Sequence, residues 1–231
     1  MKIALISDTH GMLPDVPKEA RIIIHAGDIG VDCDPITWFR DVLYPWARKV
    51  NKPIYATFGN HDRIGERHAV PAGCPSNLDL LTDCAIGIQG VNYWFSPWSP
   101  QFFDWAFMAD EETLAKKYAR IPDDTEVIVT HCPPLGAGDV TTMTLRTGSV
   151  ALAERMKQLP RLRLVVCGHI HEAFGDYMLD GVRVLNVSHV DEMYRPKHKP
   201  VVIDLDELQT GSGTVTDAER AQTPRRSAAP K

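Results

Sequence analysis

The sequence predicts an α/β fold. Short apolar runs rich in β-branched residues recur along the chain, and helix start signals fall between several of them. Polar residues of metal-ligand type stand at the carboxyl ends of these runs. The runs read as strands cover residues 3–6, 22–25, 54–58, 127–130 and 164–167, with 182–187 and 200–205 as further strands nearer the C-terminus. Their near-continuous apolarity predicts strands covered on both faces.

Three helices are expected between them. Asp34-Pro35 offers a capping residue followed by proline at the first helical position, and Ile36, Phe39, Leu43 and Ala47 then share one face. Pro45 is expected to kink or end this helix. Asp110 opens a second, with Glu111 and Glu112 in its first turn and Ile121-Pro122 beyond its end. Ser149 opens a third, running to about Leu159 before Pro160. From Leu208 the chain turns to Thr, Gly, Ser, Ala, Pro and Arg, which bury too little apolar surface to offset ordering entropy. The expected organisation is one domain over 1–207 and a disordered tail over 208–231.

The bulk properties narrow the function classes. A chain of 231 residues with 44% hydrophobic and 24% charged residues has the make-up of an ordinary globular protein. A net charge of −5, a pI near 6.0 and the lack of a basic stripe weigh against a nucleic-acid coat protein or a processive nuclease. No stable nucleic-acid partner is expected. The five cysteines are scattered, with no C-x-x-C pair, as in a reduced cytoplasmic protein. The first apolar run is too short for a signal peptide, and no stretch approaches membrane-spanning length.

The chemistry lies in what ends each strand: Asp8-Thr9-His10, Gly27-Asp28, Gly59-Asn60-His61-Asp62, Thr130-His131 and Gly168-His169-Ile170-His171. In an extended backbone, residues two apart point the same way, so Asp8 and His10 are expected to reach one site. Glycines before Asp28, Asn60 and His169 permit positive φ or close backbone approach. Carboxylates, imidazoles and an amide oxygen suit Mn, Fe, Zn, Ni or Mg, and the absence of cysteine from these positions argues against a structural zinc site. Each fragment is weak by itself. All of them in order, each after an apolar run, form a specific signal.

Together these motifs resemble the full set of the calcineurin-like metallophosphoesterases, over residues 3 to about 205. Ser96-Pro97-Trp98, Asp104-Trp105-Ala106-Phe107, His131-Cys132-Pro133-Pro134-Leu135-Gly136 and Asn186-Val187-Ser188 resemble, more narrowly, the metallophosphoesterase-domain-containing group first described from brain and fetal brain. Cys132 departs from the glycine expected there, but removes no ligand. The resemblance implies a four-layer α-β-β-α sandwich of two mixed sheets with a dinuclear metal site at the strand ends. It implies that Asp8, His10, Asp28 and His171 hold one divalent ion, and that Asp28, Asn60, His131 and His169 hold the other, with manganese the first choice. His61 would act on the scissile phosphate, and Asp62 would orient or charge-balance His61. Two ions about 3.5–4 Å apart neutralise a phosphodiester and generate a bridging hydroxide for in-line attack. Small phosphodiesters, cyclic nucleotides included, are the substrates implied. A nuclease, a phosphomonoesterase or protein phosphatase, and a nucleotide-binding scaffold with little turnover are the alternatives.

Other residues read more plainly. His25, inside a strand, is expected to be a hydrogen-bonded core histidine. The aromatic segment 93–107 is expected mainly to pack, with Trp98 its best candidate for stacking on substrate. Lys116-Lys117 reads as a solvated helix face, and Arg63 and Arg146 as weak candidates for substrate contact.

Overall fold

The computed structural model describes residues 1–206, so the tail expected over 208–231 and its boundary at 207 lie outside the described residues. Two large sheets organise the chain. In the first, β1 (Lys2–Ile6), β2 (Ile22–Ala26), β3 (Ile54–Thr57) and β4 (Leu78–Leu80) run parallel. The second contains β5 (Cys84–Ile88), β6 (Val91–Ser96), β9 (Val127–Thr130), β10 (Leu164–Cys167), β11 (Gly175–Leu179) and β12 (Val182–Asn186). A small parallel pair, β7 (Ser99–Pro100) and β8 (Met108–Ala109), brackets the loop between them. The last strand, β13 (Val201–Asp204), returns antiparallel to β1. The sheet orders are β13-β1-β2-β3-β4 and β11-β12-β10-β9-β6-β5.

The second sheet has a parallel centre and antiparallel edges, because β5–β6 and β11–β12 are hairpins. Their two-residue turns, Gln89-Gly90 and Asp180-Gly181, have positive φ at both positions, the geometry that matches strand twist. The sequence did not predict β4, β5, β6 and β11, whereas β9, β10 and β12 occupy the residues expected.

Alternation along the strands builds three apolar layers. Ile3, Leu5, Ile22 and Ile24 face Tyr93, Phe95, Val127, Val129, Leu164 and Val166 in the core between the sheets. Ala4, Ile6 and Ile23 point the other way, onto Phe39, Leu43, Tyr44 and Ala47. On the far side, Ile128 and Val165 meet Leu114, Tyr118, Leu152 and Met156. Strands covered on both faces explain the unbroken apolar runs, and the layers stack helix, sheet, sheet, helix.

The helices carry the expected caps, with one departure. Asp34 accepts from Thr37 N–H and opens α1 (Pro35–Trp38). The chain then widens into a π-helical stretch, Phe39–Leu43, before α2 (Tyr44–Val50). Pro45 therefore falls in the first turn of α2, where its missing N–H costs nothing, and Tyr44 N–H bonds Phe39 O. The predicted kink becomes a change of hydrogen-bond pattern. The shift also leaves Ile36 exposed, although it was expected to share the buried face. A short α3 (Arg63–Glu66) follows β3. Asp110 caps α4 (Glu111–Tyr118) through Thr113 N–H, and Ser149 caps α5 (Val150–Met156) through Leu152 N–H.

Parallel strands point their carboxyl ends in one direction, and the two sheets meet at that end. Ser7 N–H bonds Val187 O at 3.0 Å, and Ser7 pairs with Ser188 across the seam between β1 and β12. Gly168 N–H bonds His131 O, and Asp8 N–H bonds Gly27 O. The segments leaving β1, β2, β9, β10 and β12 are thus laced together by backbone hydrogen bonds, and the one leaving β3 joins them through the Asp62 and Asp28 carboxylates.

Candidate metal centre

The strand-end residues singled out by sequence converge on this seam. Donor atoms of Asp8, His10 and His171 lie within 4.8 Å of one another, as do those of Asp8, Asp28 and His131, and those of His10, Asp28 and His61. Asn60 Oδ1 is 2.9 Å from His131 Nε2. His169 stands edge-on to His131, with ring centroids 4.9 Å apart. Asp8 and Asp28 are buried, yet no Lys or Arg ion pair to either is found among the described residues. Their close partners are imidazoles: His171 Nε2 is 3.3 Å from Asp8, and His131 Nε2 is 3.3 Å from Asp28.

The backbone reaches this arrangement by a route the sequence did not disclose. Asp8, His10, Asp28 and His169 have φ of 51°, 42°, 52° and 67°, in the left-handed region that costs non-glycine residues energy. Asp8 and His10 therefore share a site through a tight turn after the strand, not through strand alternation. Gly59 and Gly168 serve close approach instead of positive φ. A Cβ at Gly59 would overlap the Asp28 carboxylate, and one at Gly168 would overlap the Asp8 carboxylate and the Ser7 hydroxyl.

Neighbouring groups fix each donor. The Ser188 hydroxyl donates to Asp8 at 2.8 Å, and His169 N–H donates to the same carboxylate at 3.0 Å. His61 N–H donates to Asp28 at 2.8 Å. His131 Nδ1 donates to Ala26 O and His171 Nδ1 to Asp191 O, so both rings turn Nε2 toward the carboxylates. A backbone carbonyl on the far nitrogen is the usual support for a metal-binding imidazole. Buried carboxylates, Nε2-directed imidazoles and an amide oxygen, with no thiolate among them, fit divalent ions of the Mn, Fe, Zn, Ni or Mg type.

The shifts within the centre run in both directions, with His131 and His171 raised and His10 and His169 lowered. Burial works to lower His131, but Asp28 and then Asp8 outweigh it and raise the imidazole to about 9. Burial works to raise Asp8, but its hydrogen bond and charge interaction with His171 hold it below the ordinary range. Burial depresses His169 to about 3, helped by the charge on His131.

His61 and Asp62 part company. The Asp62 carboxylate accepts N–H bonds from Ile29, Gly30 and Gly59, tying the loop after β2 to the loop after β3. It does not meet the His61 ring. Burial, and next the charge of Asp28, raise Asp62 to about 7 against those N–H groups. The partner of His61 is Asp32, whose carboxylate lies 2.9 Å from Nδ1. No sequence motif marked Asp32, or Asp191 behind His171. Ser188 stood in a motif, but nothing in it indicated a bond to Asp8.

The remaining candidates separate cleanly. His25 is buried, accepts Gly27 N–H at Nδ1 and meets Thr9 Oγ1 at 3.0 Å through Nε2, while burial depresses it to about 3. It is a neutral core histidine. Trp98 donates to Asp83 at 2.8 Å, carries the Lys117 ammonium 3.4 Å from its ring centre and packs on Phe107, so its ring is engaged by these three side chains. Lys116 pairs with Glu112 on the solvated face. Arg146 pairs with Asp139, and Arg63 donates to Asp104 O. The rings that do touch the centre are Trp105 against His61, Phe102 against His169, and Tyr194 against His10.

Comparison with known proteins sets this geometry in context. Residues 1–173 match the sequence model of the calcineurin-like phosphoesterase family. Metallophosphoesterase domain-containing protein 1 of Homo sapiens is 36% identical over 237 aligned positions, covering 88% of this chain and 71% of the relative. Among solved structures, phosphopantetheinyl hydrolase from Mycobacterium tuberculosis is 15% identical, with a TM-score of 0.48 over 84% of this chain and 90% of that one. A dimetal phosphatase from Danio rerio is 9% identical, also with a TM-score of 0.48, over 80% and 86% of the two chains.

Proposed function

Because the chain belongs to the calcineurin-like phosphoesterase family, we propose that this metal-dependent phosphoesterase hydrolyses small phosphodiesters, cyclic nucleotides among them. The observation that carries the reading is the convergence of Asp8, His10, Asp28, Asn60, His131, His169 and His171 on one seam, with His61 at its edge. In this reading Asp8, His10, Asp28 and His171 hold one divalent ion and Asp28, Asn60, His131 and His169 the other. When bound, two such ions supply charge neutralisation at the phosphate and activate water.

The chain's own residues do the rest. Asp28 sits between the two groups: its Oδ2 is 3.7 Å from His10 and 3.3 Å from His131. Its Oδ1 is held by His61 N–H, which stations His61 beside the substrate position. Asp32 occupies His61 Nδ1 and leaves Nε2 to hand a proton to the departing ester oxygen. Burial of Asp8, Asp28 and His131 keeps bulk water from screening the phosphate charge.

The test compares bis(p-nitrophenyl) phosphate with p-nitrophenyl phosphate at added Mn²⁺. Cleavage of the diester with little of the monoester supports the reading. Preference for the monoester makes the protein a phosphomonoesterase, and inertness toward both with metal bound makes it a binding scaffold.

A further inference from the structure

Aromatic rings are crowded where the donor residues open to solvent. Tyr194 is 46% exposed, and its ring meets His10 at 4.7 Å, His171 at 5.2 Å and His61 at 6.1 Å. Trp105 meets His61 at 4.4 Å. Phe102, 51% exposed, meets Trp105 at 5.3 Å and His169 at 5.8 Å. These rings thus border residues of both donor groups. Rings left in water at this cost belong where something apolar arrives.

Both walls are built, not floppy. The loop with Phe102 and Trp105 is tied to the segment bearing Asn60 and His61: Ala106 N–H bonds Asn60 O, Phe107 N–H bonds the Glu66 carboxylate, and Arg63 bonds Asp104 O. Tyr194 stands at the tip of a turn with φ of 58°, unfavourable for an aromatic residue. The turn is forced by Asp191, whose carboxylate accepts from Met193 N–H, Arg195 N–H and the Arg195 guanidinium. The carbonyl of the same Asp191 orients His171. Strain held by so many bonds beside a reactive centre is a mark of function. The arginines here serve the walls, because Arg195 is bound to Asp191 and Arg63 to Asp104 O. The rim therefore presents faces and edges of rings, the chemistry that recognises another flat ring.

We propose that Tyr194 on one side and Phe102 with Trp105 on the other form a subsite for a planar aromatic group carried by a substituent of the phosphorus being attacked. The inference rests on the phosphoesterase reading for where the phosphate sits, and it names what that phosphate carries. An aryl ester and a nucleobase share this chemistry.

Calorimetric titration of the Mn²⁺-loaded protein tests it without relying on turnover. The probes are phenylphosphonate against methylphosphonate, and adenosine 5′-monophosphate against ribose 5-phosphate. The ring-bearing member of at least one pair is expected to bind roughly five- to tenfold more tightly, the scale of one aromatic stack. A larger ratio in the first pair identifies an aryl group, and in the second a nucleobase. Tyr194→Ala with Phe102→Ala should bring the ratio below twofold, with methylphosphonate affinity and manganese content unchanged, while Tyr194→Phe keeps it. Both side chains are exposed, so neither replacement removes core. Equal affinities within both pairs for the unaltered protein, or a ratio that survives the double replacement, overturn the proposal. If the ring preference holds but bis(p-nitrophenyl) phosphate is not cleaved, the diesterase reading falls and the subsite stands. If the diester is cleaved without ring preference, the subsite alone falls.

Discussion

His61 and Asp62 are neighbours in sequence and do different work, so their replacements should separate. His61→Ala is expected to lower kcat by about 10²–10⁴, the span of a lost general acid, while metal content by elemental analysis stays constant. Asp32→Ala should lose about tenfold by freeing the ring at Nδ1. Loss of metal in either variant would contradict the assignment. His131 offers a second test. With Asp28 and Asp8 holding it at about 9, it keeps its proton at neutral pH, and a metal ion must displace that proton. Metal binding near pH 7 is thus expected to release protons, and affinity should rise with pH and level off beyond about 9. Titrations in buffers of different ionisation enthalpy detect this, and zero release at pH 7 would refute it. The raised value also stabilises the metal-free protein below the ordinary 6.5, an effect lost as pH climbs through about 9. The candidate donors were legible in the sequence because strand ends gather them in short motifs. Asp32, Asp191 and Tyr194 were not, because their roles follow from where loops settle. The partners of Trp98 were not legible either, because prolines beside an indole say nothing about which way it faces.

Among the elements, the short turns leaving β1, β2, β3 and β10 carry the strain and the tight packing. Gly168→Ala would drive a methyl group into the Asp8 carboxylate and Ser7 hydroxyl. A loss of about 1–3 kcal/mol in stability and substoichiometric metal are expected, read by denaturant unfolding and elemental analysis. Gly87→Ala, with nothing within 4 Å, serves as the neutral control. If the two variants behave alike, the close-approach argument is wrong. The same contrast explains which strands could be read in advance. β9 and β10 are buried on both faces, so hydrophobicity alone marked them. β5 and β11 are edge strands with alternating exposure, and they hid among loop residues. Their turns, Gln89-Gly90 and Asp180-Gly181, were the available signal. The π-helical stretch had no such signature, since Pro45 announces a disturbance but not its form.

Across the whole molecule, donors from both sheets meet at one seam, so bound metal would tie the two halves of the sandwich together. Removing it with a chelator should lower Tm by about 5–10 °C for each site emptied, relative to protein with free metal at a hundredfold over Kd, a linkage of about 2.7 kcal/mol per site. An unchanged Tm would mean that no ion binds the folded protein in preference to the unfolded chain. The match to the family ends at residue 173, yet Ser188 and Asp191 support Asp8 and His171 from beyond it, and β13 covers the edge of β1. That ordering has a consequence for how the protein is made. The hydroxyl that fixes Asp8 belongs to a residue translated 180 positions after it. An emerging chain would carry the candidate donors without their full support until Ser188 and Asp191 are made. Metal uptake is thus expected of the finished protein, with the ion set by whichever divalent metal is then available.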